Sequence, residues 1–560
     1  MLIKNLALVF LFLVLTPCFV CGQNSGANPG SSTRQQTKAT GGFVYPANIQ
    51  GTYQPGKGWR SDSVDKTDGE DETKKIRAKQ VKTDFQKSKA LKSHLSSASR
   101  EIYVRTTNEL LRAIRSRGNK RILLAQGTYD LRKRPNKFLV NKQSGSVQLI
   151  GSSCNTTKII GPGTDASHDF LQLGKGYGQV SIDRLGFENW GTVVRLLKND
   201  HGRINITNCC FSSIANTVGT YNVKLAHGGI ESLVFRHNEV RASRLFGINL
   251  IYKPNSRLRS IDISKNLIEN VISDSSEAVG IGLRADLKPG VVGFTTDDSS
   301  LEITDNIVRN VRKQSAKGAS VVDGIIVDGF KNVTVQDNKV SEIYRKGGLS
   351  HGIYLALVNR CTVTGNTMTN CGSTGFLCKK GWDMEVTNNT VRGGKGSSFR
   401  IGRGSRITIA HNTITNGGNR AMYIGGVNGL SISNNVMTEN GAVGIPPAQR
   451  GSVFLFANQD VTFEDNQLRE SIAMAPIRIG GNVAMKNYSI KNNLIYNPNF
   501  KVAVEFAFAS INGTGSLDNL LIEKNQTAKI ERVVGVTSGR LPTSRLIKGN
   551  RSQPESKKGG

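Results

Sequence analysis

The segment "SHGIYLA" sets His351 three residues before Tyr354, and related segments recur on both sides of it. Aligned on their apolar positions, these segments carry Asp323 and Asp328, then His351 and Tyr354, then Lys379, Arg400, Arg420 and Tyr423. Arg284 lies upstream and Arg478 downstream. Histidine and lysine are candidate proton acceptors, tyrosine is a candidate proton donor, and arginine grips a carboxylate with a two-pronged fork. Those types suit proton removal beside a carboxylate, as in β-elimination of a uronate-containing polysaccharide. In that reading His351 or Lys379 is the base, Tyr354 the acid, and Arg400 the cation that neutralises the sugar carboxylate. Arg284, Asp323, Asp328, Arg420, Tyr423 and Arg478 are candidates for holding the polymer, the tyrosine by stacking on a pyranose face. Two alternatives stay open. Asp323 and Asp328 could serve a glycoside hydrolase as paired carboxylates, or the chain could be a non-catalytic, exported polysaccharide-binding or surface scaffold.

Side chains scattered over two hundred residues need a repeating frame to bring them together. That frame is legible as a recurrent motif, apolar-x-apolar-x-Asn-x-apolar, in "VFRHNEV", "TVTGNTM", "EVTNNTV", "TIAHNTI" and "SISNNVM". Its asparagines are Asn238, Asn266, Asn306, Asn338, Asn366, Asn389, Asn412, Asn435, Asn466 and Asn493, spaced by 23 residues from Asn366 to Asn435 and by 27 to 40 elsewhere. Alternating apolar and polar residues indicate strands with one buried face. Three short strands with their turns fill 23 residues, which is one coil of a parallel β-helix, and longer spacings are loops inserted into single coils. Stacked about 4.8 Å apart, equal positions form ladders. The asparagines are expected at bends, in left-handed backbone, bonded to the asparagines above and below. Parity puts Ile353, Leu355, Phe376, Ile401, Ile424 and Ile479 in the core and the candidate residues between them outside. The direction of Asp323, His351 and Arg420 is ambiguous, because a bend there breaks the alternation. Gly402, Gly425 and Gly480 are expected to leave room for a ligand chain.

The frame opens with "IYVRTTNELLRAIRSRGNKRILLAQGTYDL" from Ile102, read as a strand, a capped short helix starting near Thr107, a strand and Gly-Thr-Tyr. This opening, with the coils "LIGSSCNTTKIIGPG" and "VSIDRLGFENW", resembles that of pectin-lyase-like proteins, nearest to the chondroitinase B and alginate lyase group. The resemblance implies an all-β, right-handed parallel β-helix from about 101 to 530 with a small helix capping its open end. It also implies a Lys base and an Arg neutraliser on neighbouring coils, types that Lys379 and Arg400 match, and a bound calcium. The Asn-Thr-Asp, Asp-Asp and Gly-His-Gly signatures of polygalacturonases and the Asp-Pro-His-Asp motif of alginate epimerases are missing.

Charge and targeting point the same way. Of 560 residues, 74 are Lys or Arg and 42 Asp or Glu, a formal net charge of +32, more than half of it within 101–530. Such a body attracts polyanions. No helix-turn-helix, zinc-finger or RNA-platform motif favours nucleic acid, so an acidic polysaccharide is the expected partner. Lys4 followed by the apolar run Leu6 to Leu15 reads as a secretory signal ending near residue 22, too short to span a bilayer. A lipid-anchored Cys18 or Cys21 is the rival reading. Residues 23–100 read as a flexible basic leader and 531–560 as a basic tail. His168, Asp169 and His201 read as turn residues, and no metal-ligand cluster stands out. Cys361 and Cys378 fall on inward positions, and one or two disulfides among six cysteines fit an exported chain.

Overall fold

The structure is a computed structural model. It describes residues 99–553 apart from 134–137, 166, 175, 198–200, 220–228, 275–276, 287–291, 316–320, 442–451, 471–474, 482, 498–500, 508–515 and 539–543. It also describes a small antiparallel hairpin, Thr52–Gln54 with Gly58–Arg60. The proposed signal segment lies outside the described residues. Residues 1–96 and 97–560 form two separate units.

The second unit is a right-handed parallel β-helix, as the 23-residue period requires. Its strands pair in parallel with the equivalent strand one coil on, giving three ladders. One runs Ile353–Phe376–Phe399–Met422, the second Cys361–Met384–Ile407–Leu430, and the third Met368–Val391–Ile414–Met437. All these side chains fill one continuous core. Ile353, Leu355, Phe376, Ile401, Ile424 and Ile479 are wholly buried, as parity requires, and so are Cys361 and Cys378.

The asparagine ladder runs as expected along the chain but with different backbone geometry. Asn389 donates its backbone N–H and side-chain Nδ2 to Oδ1 of Asn412 at 2.9 and 3.0 Å, and Nδ2 also reaches the Val363 carbonyl at 2.9 Å. The same pattern repeats coil after coil from Asn238 onward. The left-handed residue is not the asparagine but the one before it: His237, Lys265, Asp305, Asp337, Asn388, His411 and Asn434 all have φ between 52° and 57°. The asparagine follows the bend, turned inward, where its amide replaces water for the corner's backbone groups. The ladder continues to Asn525 and Asn550. Strands Arg532–Ser538, Arg545–Lys548 and Arg551–Gln553 pair with the coil before them, so stacking does not stop at 530 and the expected tail contributes strands.

At the other end, helix α1 (Thr107–Arg115) covers the first coil with Leu110, Leu111, Ala113 and Ile114. Thr106 and Glu109 cap it reciprocally, each side chain accepting the other's backbone N–H. Buried Lys120 donates its ammonium to the Ile114 and Ser116 carbonyls at the helix C-terminus. A disulfide joins Cys154 to Cys210, while Cys209, Cys361, Cys371 and Cys378 are buried thiols.

One corner decides where the candidate site points. Gly247, Gly280, Gly324, Gly352 and Gly375 occupy it on successive coils. A Cβ at Gly280, Gly324 or Gly375 would sit 2.4 Å from Val308, Val340 or Val391 of the core. The corner residue therefore faces inward next to another inward residue. That doubled inward step breaks the alternation and turns the preceding residue outward, which resolves the ambiguity of Asp323, His351 and Arg420.

Replacing Ile401 by Asp is expected to cost on the order of 4–5 kcal/mol, seen as a large fall in thermal midpoint, because a carboxyl would enter an apolar core. Asn412→Ala should cost about 1–3 kcal/mol in the same measurement by leaving the buried backbone N–H of Asn389 unpaired and removing one acceptor of its Nδ2.

Candidate functional site

The outer face beside this corner carries three parallel columns. The first holds Asp323, His351, Thr374, Ser397 and Arg420. The second holds Ile326, Tyr354, Leu377, Arg400, Tyr423, Phe454, Arg478 and Glu505. In the third, Arg284 pairs with Asp328 and Asp328 with Ala356, and Lys379 follows on the next coil. All ten candidate side chains therefore arise from one face, but they do not share one environment.

Asp323 and His351 form its most buried polar pair. Nδ1 of His351 lies 2.7 Å from Oδ1 of Asp323, and the two residues are 3% and 0% exposed. A carboxylate can only accept, so Nδ1 carries the proton and Nε2 is the basic nitrogen. Nε2 has no partner among the described residues. The Tyr354 ring lies 5.3 Å from the imidazole, tilted by 40°. Burial, and then the charges of Asp328 and Asp323, hold the Tyr354 hydroxyl above the ordinary phenol range. That keeps it protonated as a donor. Oδ2 of Asp323 and Oδ1 of Asp328 are buried without a hydrogen-bond partner among the described residues.

Asp328 behaves differently from Asp323. Burial pushes its carboxyl up to about 6, against the opposing pull of Lys379 and Arg284. Upstream, Phe246, Val279 and Ile326 make a small apolar cluster on this outer face, against which Leu245 and Tyr354 pack. Downstream the face becomes cationic and aromatic. Lys379 and Arg400 are exposed, and the Arg400 guanidinium leans over Tyr423 at 5.6 Å. Arg420 covers Tyr423 and Phe454 at 5.4 and 5.5 Å, and the two rings meet edge to face at 5.6 Å.

Several expected binding residues are otherwise engaged. Arg478 donates to Glu505 at 2.8 Å with both residues buried, so it is a structural ion pair and not an open contact. Arg284 is held by Glu277, by Asn249 at 3.0 Å and over the Phe246 ring. Asp323 is wholly buried against His351, which makes it a positioning group and removes it as one half of a pair of substrate-facing carboxylates. Gly402 does not provide room: a Cβ there would lie 2.5 Å from the Lys379 carbonyl, so glycine is needed for coil stacking. At Gly425 a Cβ meets nothing nearer than 3.4 Å.

Sequence reasoning missed three residues of this face. Asp169, read as a turn residue, is a buried strand residue that binds Gln172 at 2.7 Å and Arg195 at 2.8 Å. Phe454 follows Tyr423 in the second column, and the inward pair Val453/Leu455 within "VFLF" was the available signal. Glu505 had none, since its alignment depends on insertions of differing length. Asp297 and Asp298 of the "TTDD" segment are surface residues paired with Lys331, Arg360 and Arg257. Among the described residues no three His, Cys, Asp or Glu side chains converge to hold a metal ion. The calcium implied by the resemblance therefore finds no fitting donor set there.

Residues 323–471 match the family model described as "Right handed beta helix region". The chain is a right-handed parallel β-helix. Similar solved structures include the A-module of mannuronan C-5 epimerase AlgE6 from Azotobacter vinelandii. It is 12% identical, with a TM-score of 0.38 over 78% of this chain and 91% of that one. DFA-IIIase from Arthrobacter chlorophenolicus A6 is 12% identical with a TM-score of 0.34, covering 70% and 89%. The GH87 α-1,3-glucanase catalytic unit from Streptomyces thermodiastaticus is 12% identical with a TM-score of 0.31, covering 80% and 65%. No curated protein matches the sequence. No helix among the described residues is long and apolar enough to cross a membrane.

The raised carboxyl of Asp328 has a stability signature. The unfolded chain loses this proton near pH 4, the folded one near pH 6. Between those values the folded state binds more protons, so stability falls as pH rises, by up to about 3 kcal/mol. Asp328→Asn should equal wild type in thermal midpoint at pH 4 and exceed it at pH 7–8, as measured by melts across that range.

Proposed function

We propose that the chain is an exported polysaccharide lyase that cleaves an acidic, uronate-containing polysaccharide by β-elimination. The observation that carries the reading is the buried Asp323–His351 pair at 2.7 Å beneath Tyr354, with exposed Lys379 one coil away. A base, a donor and a cation on one face are what proton removal beside a carboxylate requires.

In this mechanism Nε2 of His351 takes the C5 proton of the uronate, with Asp323 fixing the tautomer and offsetting the imidazolium charge. The electron pair forms the C4–C5 double bond, the C4–O4 bond breaks, and Tyr354 protonates the departing oxygen. Proton exchange with water then resets both groups. Lys379 neutralises the C6 carboxylate, which acidifies the C5 proton. Arg400 was expected in that role. Its guanidinium leans toward Tyr423, away from Tyr354, with Leu377 standing between the two in the column. No step passes through a metal. Export is part of the proposal and is supported by the apolar run at Leu6 to Leu15.

Hydrolysis is the second reading, and Asp328 favours it, since a carboxyl with a pKa of about 6 can act as a general acid near neutrality. The two differ in product. Incubation with alginate, polygalacturonate, chondroitin and dermatan should release the ultraviolet-absorbing unsaturated uronate from at least one of them. His351→Gln should lower kcat by about 10²–10⁴-fold with the fold unchanged. Asp323→Asn should lower kcat and alter its pH profile, a result a purely structural role would not give. New reducing ends without the unsaturated product would establish hydrolysis instead. Retention on an anionic glycan with neither product would establish a binding protein.

A further inference from the structure

We infer that Arg400, Tyr423, Arg420 and Phe454 form a subsite for a further carboxylate-bearing sugar, two to four coils beyond His351. A bound polymer would then run along the helix axis with its anionic stretch toward the C-terminal coils. The inference rests on the proposed catalytic position and adds direction and substrate charge to it.

Three observations converge. First, Tyr423 has two guanidinium groups over its ring, at 5.6 and 5.4 Å, and meets Phe454 edge to face at 5.6 Å. Arg420 is buried and held over two rings, so it is pre-positioned, whereas Arg400 is exposed. Second, the exposed charge of Arg400 is open to a ligand. Arg400 has no hydrogen-bond or ion-pair partner among the described residues, and no carboxylate stands among the described residues of the three columns from Thr374 to Phe456. An exposed arginine resting on a ring suits an anionic ligand, because a planar guanidinium pairs with a carboxylate while its face stays on an aromatic ring. Third, the spacing fits a polymer. Coils lie about 4.8 Å apart, close to the length of one extended pyranose unit, so each coil meets one sugar. Tyr354 and Tyr423 are three coils apart in one column.

The upstream side gives the face its polarity. Phe246, Val279 and Ile326 are apolar, and Arg284 there is already held by Glu277 and Asn249. An anionic chain is therefore favoured on one side of His351 only.

The test compares Arg400→Gln and Tyr423→Ala with wild type on uronate oligomers of two to eight units from alginate and polygalacturonate. Wild-type kcat/KM should rise once the oligomer is long enough to place a sugar two or three coils beyond the one at His351. Both variants should lose that rise, at least tenfold on the longest oligomer, and should match wild type on the shortest that is turned over. Calorimetric binding of the longest oligomer to His351→Gln should weaken at least tenfold when Arg400→Gln is added. It should also weaken when the oligomer's carboxyls are reduced to alcohols. Equal loss at every length, unchanged length dependence, or undiminished binding of the reduced oligomer would overturn the subsite. If no unsaturated product forms but the binding differences hold, the subsite stands and the elimination reading falls. Should Tyr423→Ala fail to fold, the exposed Arg400→Gln carries the test alone.

Discussion

The architecture depends on a buried amide bonding to a copy of itself one coil away. Each ladder asparagine accepts two N–H groups from the asparagine before it and donates to the one after it and to a carbonyl. Buried backbone groups at a corner must find partners without water, and no shorter or longer side chain would close the same four bonds. A coil can therefore shift neither along nor across its neighbour without breaking several of them at once. The chemistry on the opposite face inherits that rigidity: the 2.7 Å contact between Asp323 and His351 spans two coils and exists only because those coils are in register.

The same constraint explains how loops of very different length are tolerated. The ladder spacing varies from 23 to 40 residues, yet the three columns stay aligned through every insertion. Register is set separately at each corner, so extra residues leave the coil as loops instead of displacing strands. The glycine corner adds a second requirement. Where Gly324, Gly352 and Gly375 bring backbone close to the core, the preceding residue is turned outward, and this places Asp323, His351 and Thr374 beside the second column.

Much of this was legible in the sequence, and for a definite reason. A period of 23 and an alternation of two are linear signals, so the coil count, the core residues and the second column could be read directly. Other features depend on three-dimensional facts with no linear mark. The outward turn of His351 goes with the inward position of Gly352, where a Cβ would lie 2.8 Å from Sγ of Cys371, nineteen residues on. The burial of Asp323, the engagement of Arg478 by Glu505 and the lean of Arg400 toward Tyr423 depend on which neighbour each side chain meets. Residue type and face were readable; the partition between positioning and contact was not. The coils beyond 530 were missed because Thr527 and Ser552 stand where the other motifs carry an apolar residue two places after the asparagine.

A stack of identical rungs has no intrinsic reason to begin anywhere. The first coil would offer a row of unpaired backbone groups above an open apolar interior, a template on which another chain's strand could add. Helix α1 closes that end with Leu110, Leu111 and Ile114, and Lys120 fastens it by tying its last carbonyls to the first coil. The lysine ammonium thus fixes the helix that covers the open end. Loosening that cover would bare the apolar end of the stack while leaving the columns of the outer face in register.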